Sequence, residues 1–196
     1  MTSVPDAYGL RTATRDDIAQ LQSVDLAASQ LFEPTGLITE EDGPVPIPAH
    51  ALNDGINNGL LFVVTDPFAE PVGFVLASQK GPDLYLDQVS VNPAHGKRGL
   101  GAILVQRIIM EADARRKRGV ILSTFRDLPW NGPFYRKLGF EEIPKTRLKP
   151  WMKALEKIQS ETMDVSLRCF MRRPGTWDRR WFRLPRRENR LPEQNA

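Results

Sequence analysis

Cysteine is nearly absent from this chain of 196 residues: Cys169 is the single one. One thiol excludes an internal disulfide and any multi-cysteine metal site, and it points to a reducing compartment, the cytoplasm. Histidine is almost as scarce. His50 and His95 alone leave little for a zinc site, so no metal is expected. No stretch approaches the roughly 20 apolar residues of a membrane span, so no membrane partner is expected. The start of the chain has no apolar run of the roughly 7–15 residues that a secretory signal requires. Basic residues are missing from one long segment: between Asp16 and Gln79 there is neither lysine nor arginine.

What is present is a globular composition, with 41% apolar and 26% charged residues, enough for a core and too apolar for a disordered chain. The charge is divided. Residues 1–79 hold two basic and eleven acidic residues, whereas the remainder carries 25 basic and 13 acidic ones. Such a split can hold a polyanion on one side and a cation on the other, and it can equally be a solvated surface.

Hydrophobic periodicity gives alternating strands and helices. Residues 8–13 read as a strand and 15–30 as a helix, entered through Thr14 and Asp17 in capping-box spacing. Four prolines and two glycines make 33–48 a long loop, and a helix over 49–58 ends at Gly59. Residues 60–79 form a hairpin around Asp66-Pro67 and Glu70-Pro71. In the next strand, 84–91, the apolar alternation slips between Leu86 and Val89, which predicts a bulge. Residues 99–118 give the strongest helix, with four consecutive cations before a stop at Gly119. A strand at 120–124, a helix at 131–138, a strand from 140 to 143, a helix at 151–160 and a last strand at 165–172 follow. Trp151 and Met152 read as packing residues. The domain is expected over 1–174. Residues 175–196, with six arginines and two tryptophans, read as a basic tail.

The segment Val89-Ser90-Val91-Asn92-Pro93-Ala94-His95-Gly96-Lys97-Arg98-Gly99-Leu100-Gly101-Ala102 carries the chemistry. It is a strand, a glycine-rich turn and a helix start. Open backbone amides at the positive end of a helix dipole make an anion site, and Lys97 and Arg98 add charge, so the ligand should carry phosphate. Arg98 stands where a Walker A loop needs serine or threonine, and Leu104 where the dinucleotide fingerprint needs its third glycine. Both of those phosphate loops are excluded.

This segment resembles the signature of the GCN5-related N-acetyltransferases, the GNAT enzymes: apolar-x-Val-x-Pro, then Gln/Arg-x-x-Gly-x-Gly/Ala opening a helix. Gly96 departs from the usual first residue of the turn. A second family motif follows as Phe134-Tyr135-Arg136-Lys137-Leu138-Gly139-Phe140. The resemblance covers roughly residues 8–173. It implies an α/β (α+β) fold with a mixed, mostly antiparallel sheet of six or seven strands, flanked by helices and splayed at a bulged strand. It also implies acetyl-CoA as co-substrate, held by Val89, Ser90, Val91, Gly96, Lys97, Arg98, Gly99, Leu100, Gly101, Ala102 and Asn131. Asn131 reads equally as a helix cap.

The implied reaction is acetyl transfer to a primary amine by direct attack in a ternary complex. The amine must be neutral to attack, the thioester carbonyl polarised and the departing thiolate protonated. The resemblance assigns the proton to Tyr135, whose residue-level alternative is a core aromatic, and draws the base from Asp87 or Glu33. His95 reads as structural or phosphate-side. The acceptor is expected to be a cationic small molecule or peptide amine, steered by Glu33, Glu40, Glu41 and Asp42. A homodimer stays open. The rival class is a non-catalytic acyl-CoA-binding module, or a nucleic-acid binder using the basic tail; for that tail a solvated role is favoured.

Overall fold

The computed structural model describes residue 5, residues 7–37 and residues 44–178. Seven strands form one sheet in the order β1-β2-β3-β4-β5-β7-β6. They are β1 (Gly9–Thr12), β2 (Leu61–Thr65), β3 (Pro71–Lys80), β4 (Asp83–Val91), β5 (Gly119–Phe125), β6 (Glu141–Glu142) and β7 (Arg168–Pro174). Five helices flank it: α1 (Ile18–Ser29), α2 (Ala49–Asn57), α3 (Leu100–Ala114), α4 (Gly132–Lys137) and α5 (Pro150–Gln159). Every neighbouring pair is antiparallel except β4 and β5.

Alternation along the strands sorts the core into two faces. Phe62, Val64, Val75, Leu84, Leu122 and Met171 pack under α3, joined by Tyr135 and Phe140. On the other face, Leu61, Val63, Phe74 and Leu76 pack against Leu21 and Val24 of α1 and Leu52 of α2. Tyr85, Ile121 and Phe170 continue that second face under Met152 of α5, with Trp151 packed edge-on to Tyr85 and Phe170. Both α5 residues are packing residues, as their pattern predicts.

The element order agrees with the sequence reading, and the ends move for physical reasons. The first predicted helix begins as a 3-10 turn, Arg15–Asp17, in which Asp17 accepts from Thr14 N at 2.7 Å and pairs with Arg11. Part of the predicted 33–48 loop, Glu33–Thr35, is also a 3-10 turn. The predicted glycine stop of α3 is a correction. The helix ends at Ala114, because Arg116 takes the left-handed φ of 54° and the chain closes on itself, Arg116 N donating to Asp113 O and Lys117 N to Ala112 O. Gly119 instead opens β5, where a Cβ would collide with the Arg173 carbonyl. The last strand starts at Arg168, after a 3-10 turn over Val165–Leu167. Of the predicted tail, Gly175–Asp178 pack on the end of α3, where Thr176 and Trp177 donate to Asp113. The tail residues 179–196 lie outside the described residues.

The predicted bulge sits in β4. Ala77 pairs with Leu86 and Leu76 with Gln88, so Asp87 is the extra residue. Beyond it β4 leaves β5: the parallel ladder consists of Leu84 with Val120 and Tyr85 with Ile121. A bulge sharpens local twist, and β5 is held elsewhere by β7 along its whole length. The other end of the β4–β5 pair is pinned shut. The Asp83 carboxylate, 2% exposed, accepts from Arg172 of β7 at 3.0 Å and from Lys149 at 3.0 Å. The sheet therefore opens into a V at one end only. Among the described residues, no helix is long and apolar enough to cross a membrane, and no group of three or more His, Cys, Asp or Glu is placed to hold a metal.

Candidate active site

A cleft of about 1270 Å³ runs through the V. One end is built from backbone. After β4, a 3-10 turn (Pro93–His95) leads to Gly96, and then Lys97 and Gly99 take positive φ of 58° and 79°. Two left-handed residues this close curl the chain so that successive amides face inward, and Gly99 caps α3 without any side-chain hydrogen bond. The first amides of α3 lack intrahelical partners and lie at the positive dipole end. Ile103 N is the first to turn back, onto Gly99 O at 3.1 Å. At Gly101 a Cβ would stand 3.7 Å from Phe134 Cζ, an ordinary contact, so the absence of a side chain there leaves the amides open without being demanded by packing.

Most of the predicted coenzyme residues line this cleft: Val89, Ser90, Val91, Gly96, Lys97, Gly99, Leu100, Gly101, Ala102 and Asn131. Arg98 is the exception. Its Nη1 donates to Tyr8 Oη at 2.8 Å, and the same hydroxyl lies 3.0 Å from His95 Nδ1. This trio braces the turn against the chain before β1, which gives His95 the structural role expected of it. Asn131 caps α4 by position, yet its side chain makes no capping hydrogen bond and stays available to the cleft. Past Tyr85 the β5-facing edge of β4 has no ladder partner, so its backbone groups are open to an extended ligand arm.

The reacting end is built from side chains. Tyr135 on α4 lines the cleft and is 9% exposed, packed edge-on between Phe134 and Phe140. The core-aromatic reading of Tyr135 is realised, and the same residue also lines the cleft. Burial pushes its phenol up to about 12, opposed by the positive charge of Arg168. The group stays protonated at neutral pH. Asp87, the bulged residue, accepts from Ser78 Oγ at 3.1 Å. It keeps an open face to solvent, yet protein crowds its other sides. That desolvation pushes its carboxyl up to about 6, against the lowering effects of the Ser78 bond and Lys80. Glu33, in the turn after α1, stands exposed at the rim of the same cleft. Glu40, Glu41 and Asp42 lie outside the described residues.

Two cleft residues were missed from sequence. Asp25 on α1, 9% exposed, accepts from Gln88 Nε2 and Ser90 Oγ, both at 2.7 Å, and from Ile47 N at 2.9 Å. It ties the splayed half of β4 and the segment before α2 to the first helix. Its signal was legible: an acid on the apolar stripe of an amphipathic helix needs partners. Arg168, at the start of β7, carried no signal. Its Nη2 donates to Ser123 O at 3.1 Å, its guanidinium lies 4.7 Å from the Phe125 ring centre, and its Nε is buried without a partner. An unsatisfied buried donor costs about 1–3 kcal/mol.

Residues 57–142 match the family model described as an acetyltransferase (GNAT) domain. Solved structures share the fold over most of the chain. The ribosomal-protein-S18-alanine N-acetyltransferase from Escherichia coli superposes with a TM-score of 0.61 at 15% identity, covering 85% of this chain and 93% of that one. An acetyltransferase of the GNAT family from Staphylococcus aureus gives 0.63 at 18%, with 86% and 99% covered. The PaiA N-acetyltransferase from Thermoplasma acidophilum, solved in complex with coenzyme A, gives 0.60 at 11%, with 86% and 99% covered.

Proposed function

We propose that this chain, whose residues 57–142 match a GNAT acetyltransferase domain, is an N-acetyltransferase that moves the acetyl group of acetyl-CoA to a primary amine by direct attack in a ternary complex. The observation that carries the reading is the V between β4 and β5. It joins an anion-binding turn at one end to Asp87 and Tyr135 at the other, within one cleft.

The turn from Gly96 to Ala102 suits a pyrophosphate, because open amides and a helix dipole bind anions without needing a specific side chain. Lys97 adds a point charge. The pantetheine arm would add to the free edge of β4, as an extended strand adds to a sheet. That places the thioester beside the bulge, where the incoming amine meets it.

The amine arrives as an ammonium, since a Lys-like group has a pKa of about 10.4. It enters on the side of the cleft that carries Glu33, Asp25 and Asp87. Asp87 removes the proton, directly or through water. A carboxyl at about 6 is ionised at neutral pH and closer in basicity to the amine than an ordinary aspartate. The neutral amine attacks the thioester carbon, the tetrahedral oxyanion is held by backbone donors of splayed β4, the nitrogen releases its second proton to water, and the C–S bond breaks. Tyr135 gives its proton to the departing sulfur, a phenol pushed up to about 12 being fully protonated for the task. Cys169 supports direct transfer over an acetylated enzyme. It is buried in the core and its thiol is pushed up to about 11 by burial, so no thiolate is available.

The test is release of free coenzyme A from acetyl-CoA across a panel of amines, with the acetylated amine identified by mass. Thiol release that depends on one amine class establishes the reaction. Binding of acetyl-CoA with no amine consumed would make the chain a coenzyme-binding module. Tyr135→Phe should lower kcat by about 10–10³-fold with acetyl-CoA affinity nearly unchanged, because only the transition state uses the proton.

A further inference from the structure

Arg168 is a cation without a counter-ion. It lines the cleft, yet among the described residues no carboxylate forms an ion pair with it, and the titratable groups near enough to affect it are Tyr85, Cys169 and Tyr135. Its Nη2 is spent on the Ser123 carbonyl and hydroxyl. Its Nε is buried with no partner, and Nη1 makes no hydrogen bond among the described residues. Burying a guanidinium is costly unless an anion meets it. Three other half-buried arginines have one: Arg172 pairs with Asp83 and Asp178, Arg107 with Glu111 and Arg126 with Glu142, whereas Arg173 forms no ion pair among the described residues.

The position of Arg168 says what the anion belongs to. Arg168 pairs in register with Phe125, and Ser123 with Phe170, so Arg168, Ser123 and Phe125 share the face that carries α1 and α5. Phe32, following α1, packs on Phe125 at 5.8 Å between ring centres. Tyr85 and Ser78, the partner of Asp87, project from that same face. The phosphate turn is remote. Tyr85 to Val91 is six residues of strand, about 20 Å, and the turn lies beyond it. A phosphate of the coenzyme seated at Gly99 and Gly101 therefore does not reach Arg168. What lies between is the opening of the V, with Asp87 of the bulge on the β4 side and Arg168 of β7 beyond β5 on the other.

We propose that Arg168 is the carboxylate-binding residue of the acceptor site, and that the acceptor is a free amino acid, with its ammonium at Asp87 and its carboxylate on the Arg168 guanidinium. This rests on the acetyl-transfer reading and names the acceptor class for it. A guanidinium presents paired donors that match a carboxylate in geometry as well as in charge. Phe32, Phe125 and Trp130 form an aromatic wall on the α1 side of the site. The carboxylate would meet Nη1, which makes no hydrogen bond among the described residues, and would supply the negative charge that the guanidinium lacks.

The experiment compares free amino acids with their α-carboxamides as acceptors, using acetyl-CoA and the full chain. The aspartate/asparagine and glutamate/glutamine pairs report on a carboxylate further out. At pH 7.5 the carboxamides hold more free amine than the acids, so basicity works against the expected preference. The expected result is kcat/KM at least about 100-fold higher for the carboxylate of some pair, since a site built to pair a charge leaves its buried donor unpaired when the ligand lacks it. Arg168→Gln should bring that ratio close to one, and Arg168→Lys, which keeps the charge and loses the fork, should restore part of it. Acetyl-CoA affinity by calorimetry confirms that each variant is folded, and the wild-type ratio stands even if neither variant is. Equal use of acids and carboxamides overturns the assignment of Arg168 and leaves amine acetylation standing. So does a chain that acetylates only carboxylate-free amines such as polyamines. If no amine of any class is acetylated, the transfer reading itself fails, and this inference fails with it.

Discussion

The two ends of the cleft are made of different material. The end proposed for the phosphates is backbone: a seven-residue stretch, Gly96–Ala102, with left-handed residues and an open helix start. The end proposed for the acceptor is side chain: Asp25 from α1, Asp87 from the bulge of β4, Ser123 from β5, Tyr135 from α4 and Arg168 from β7 all line it. A backbone site binds whatever carries the common anion, and it tolerates most changes of side chain. A side-chain site assembled from five segments can be rebuilt one residue at a time. The difference teaches where variation in substrate can arise in this architecture without losing the coenzyme.

The comparison breaks most decisively at the backbone end. Gly101→Val should weaken acetyl-CoA binding by at least about 100-fold, since a branched side chain beside the open amides occupies the space of the phosphates. The fold should survive, because a Cβ there meets nothing closer than Phe134 at 3.7 Å. Calorimetry with coenzyme A, beside a thermal melt, checks both halves. A folded variant with unchanged affinity would move the phosphates elsewhere.

The second break is at Asp87. Its carboxyl sits at about 6, so below that pH it holds a proton and cannot accept another; kcat should rise with pH through about 6 and then level. Tyr135, at about 12, adds no falling limb through pH 10. Asp87→Asn should lower kcat by about 10²–10³-fold and abolish the rising limb. A pH profile of kcat in both proteins decides it. If the variant keeps the limb, with less than tenfold loss, Glu33 or a water chain is the base instead.

The same contrast governs what sequence could reveal. The phosphate end was legible because its parts are contiguous: Gly99 and Gly101 frame a helix start whose apolar stripe, Leu100, Ile103, Leu104 and Ile108, is unmistakable. The bulge was legible as a slipped alternation between Leu86 and Val89, though only pairing with Ala77 and Leu76 shows that Asp87 is the extra residue. The stop of α3 was misread because the left-handed position that ends the helix is taken by Arg116 and not by a glycine, which the usual stop signal requires. Arg98 was assigned to the ligand because charge beside a glycine turn suggests phosphate, whereas Tyr8, from the chain before β1, captures it. Arg168 could not be found at all. It is one arginine among many in a basic half, and its isolation depends on which carboxylates are absent around it in space.

The smallest expected effect sharpens the comparison, because it concerns a residue that touches both ends. Asp25 holds Gln88 and Ser90 through Oδ1, and the Ile47 amide through Oδ2. Gln88 and Ser90 lie in the splayed half of β4, which leads from the bulge to the phosphate turn, while Ile47 belongs to the acceptor wall. Asn cannot replace this carboxylate without loss. If its oxygen faces Gln88 and Ser90, its NH2 group meets the Ile47 N–H, donor against donor. If it is flipped, the conflict moves to Gln88. One buried hydrogen bond is lost either way, which costs about 1–3 kcal/mol. For a chain of this size that is a fall in Tm of roughly 2–10 °C. Because the phosphate turn is braced separately by Tyr8, His95 and Arg98, acetyl-CoA affinity should change by less than about threefold. The freed 44–48 segment should instead raise KM for the amine by several-fold, with kcat less affected, since Asp25 positions the wall and touches no reacting atom. Steady-state kinetics in both substrates, beside calorimetry with coenzyme A, separates these effects. A loss that falls on coenzyme affinity rather than on the amine would show that the two ends are coupled through β4 and are not the independent sites their construction implies.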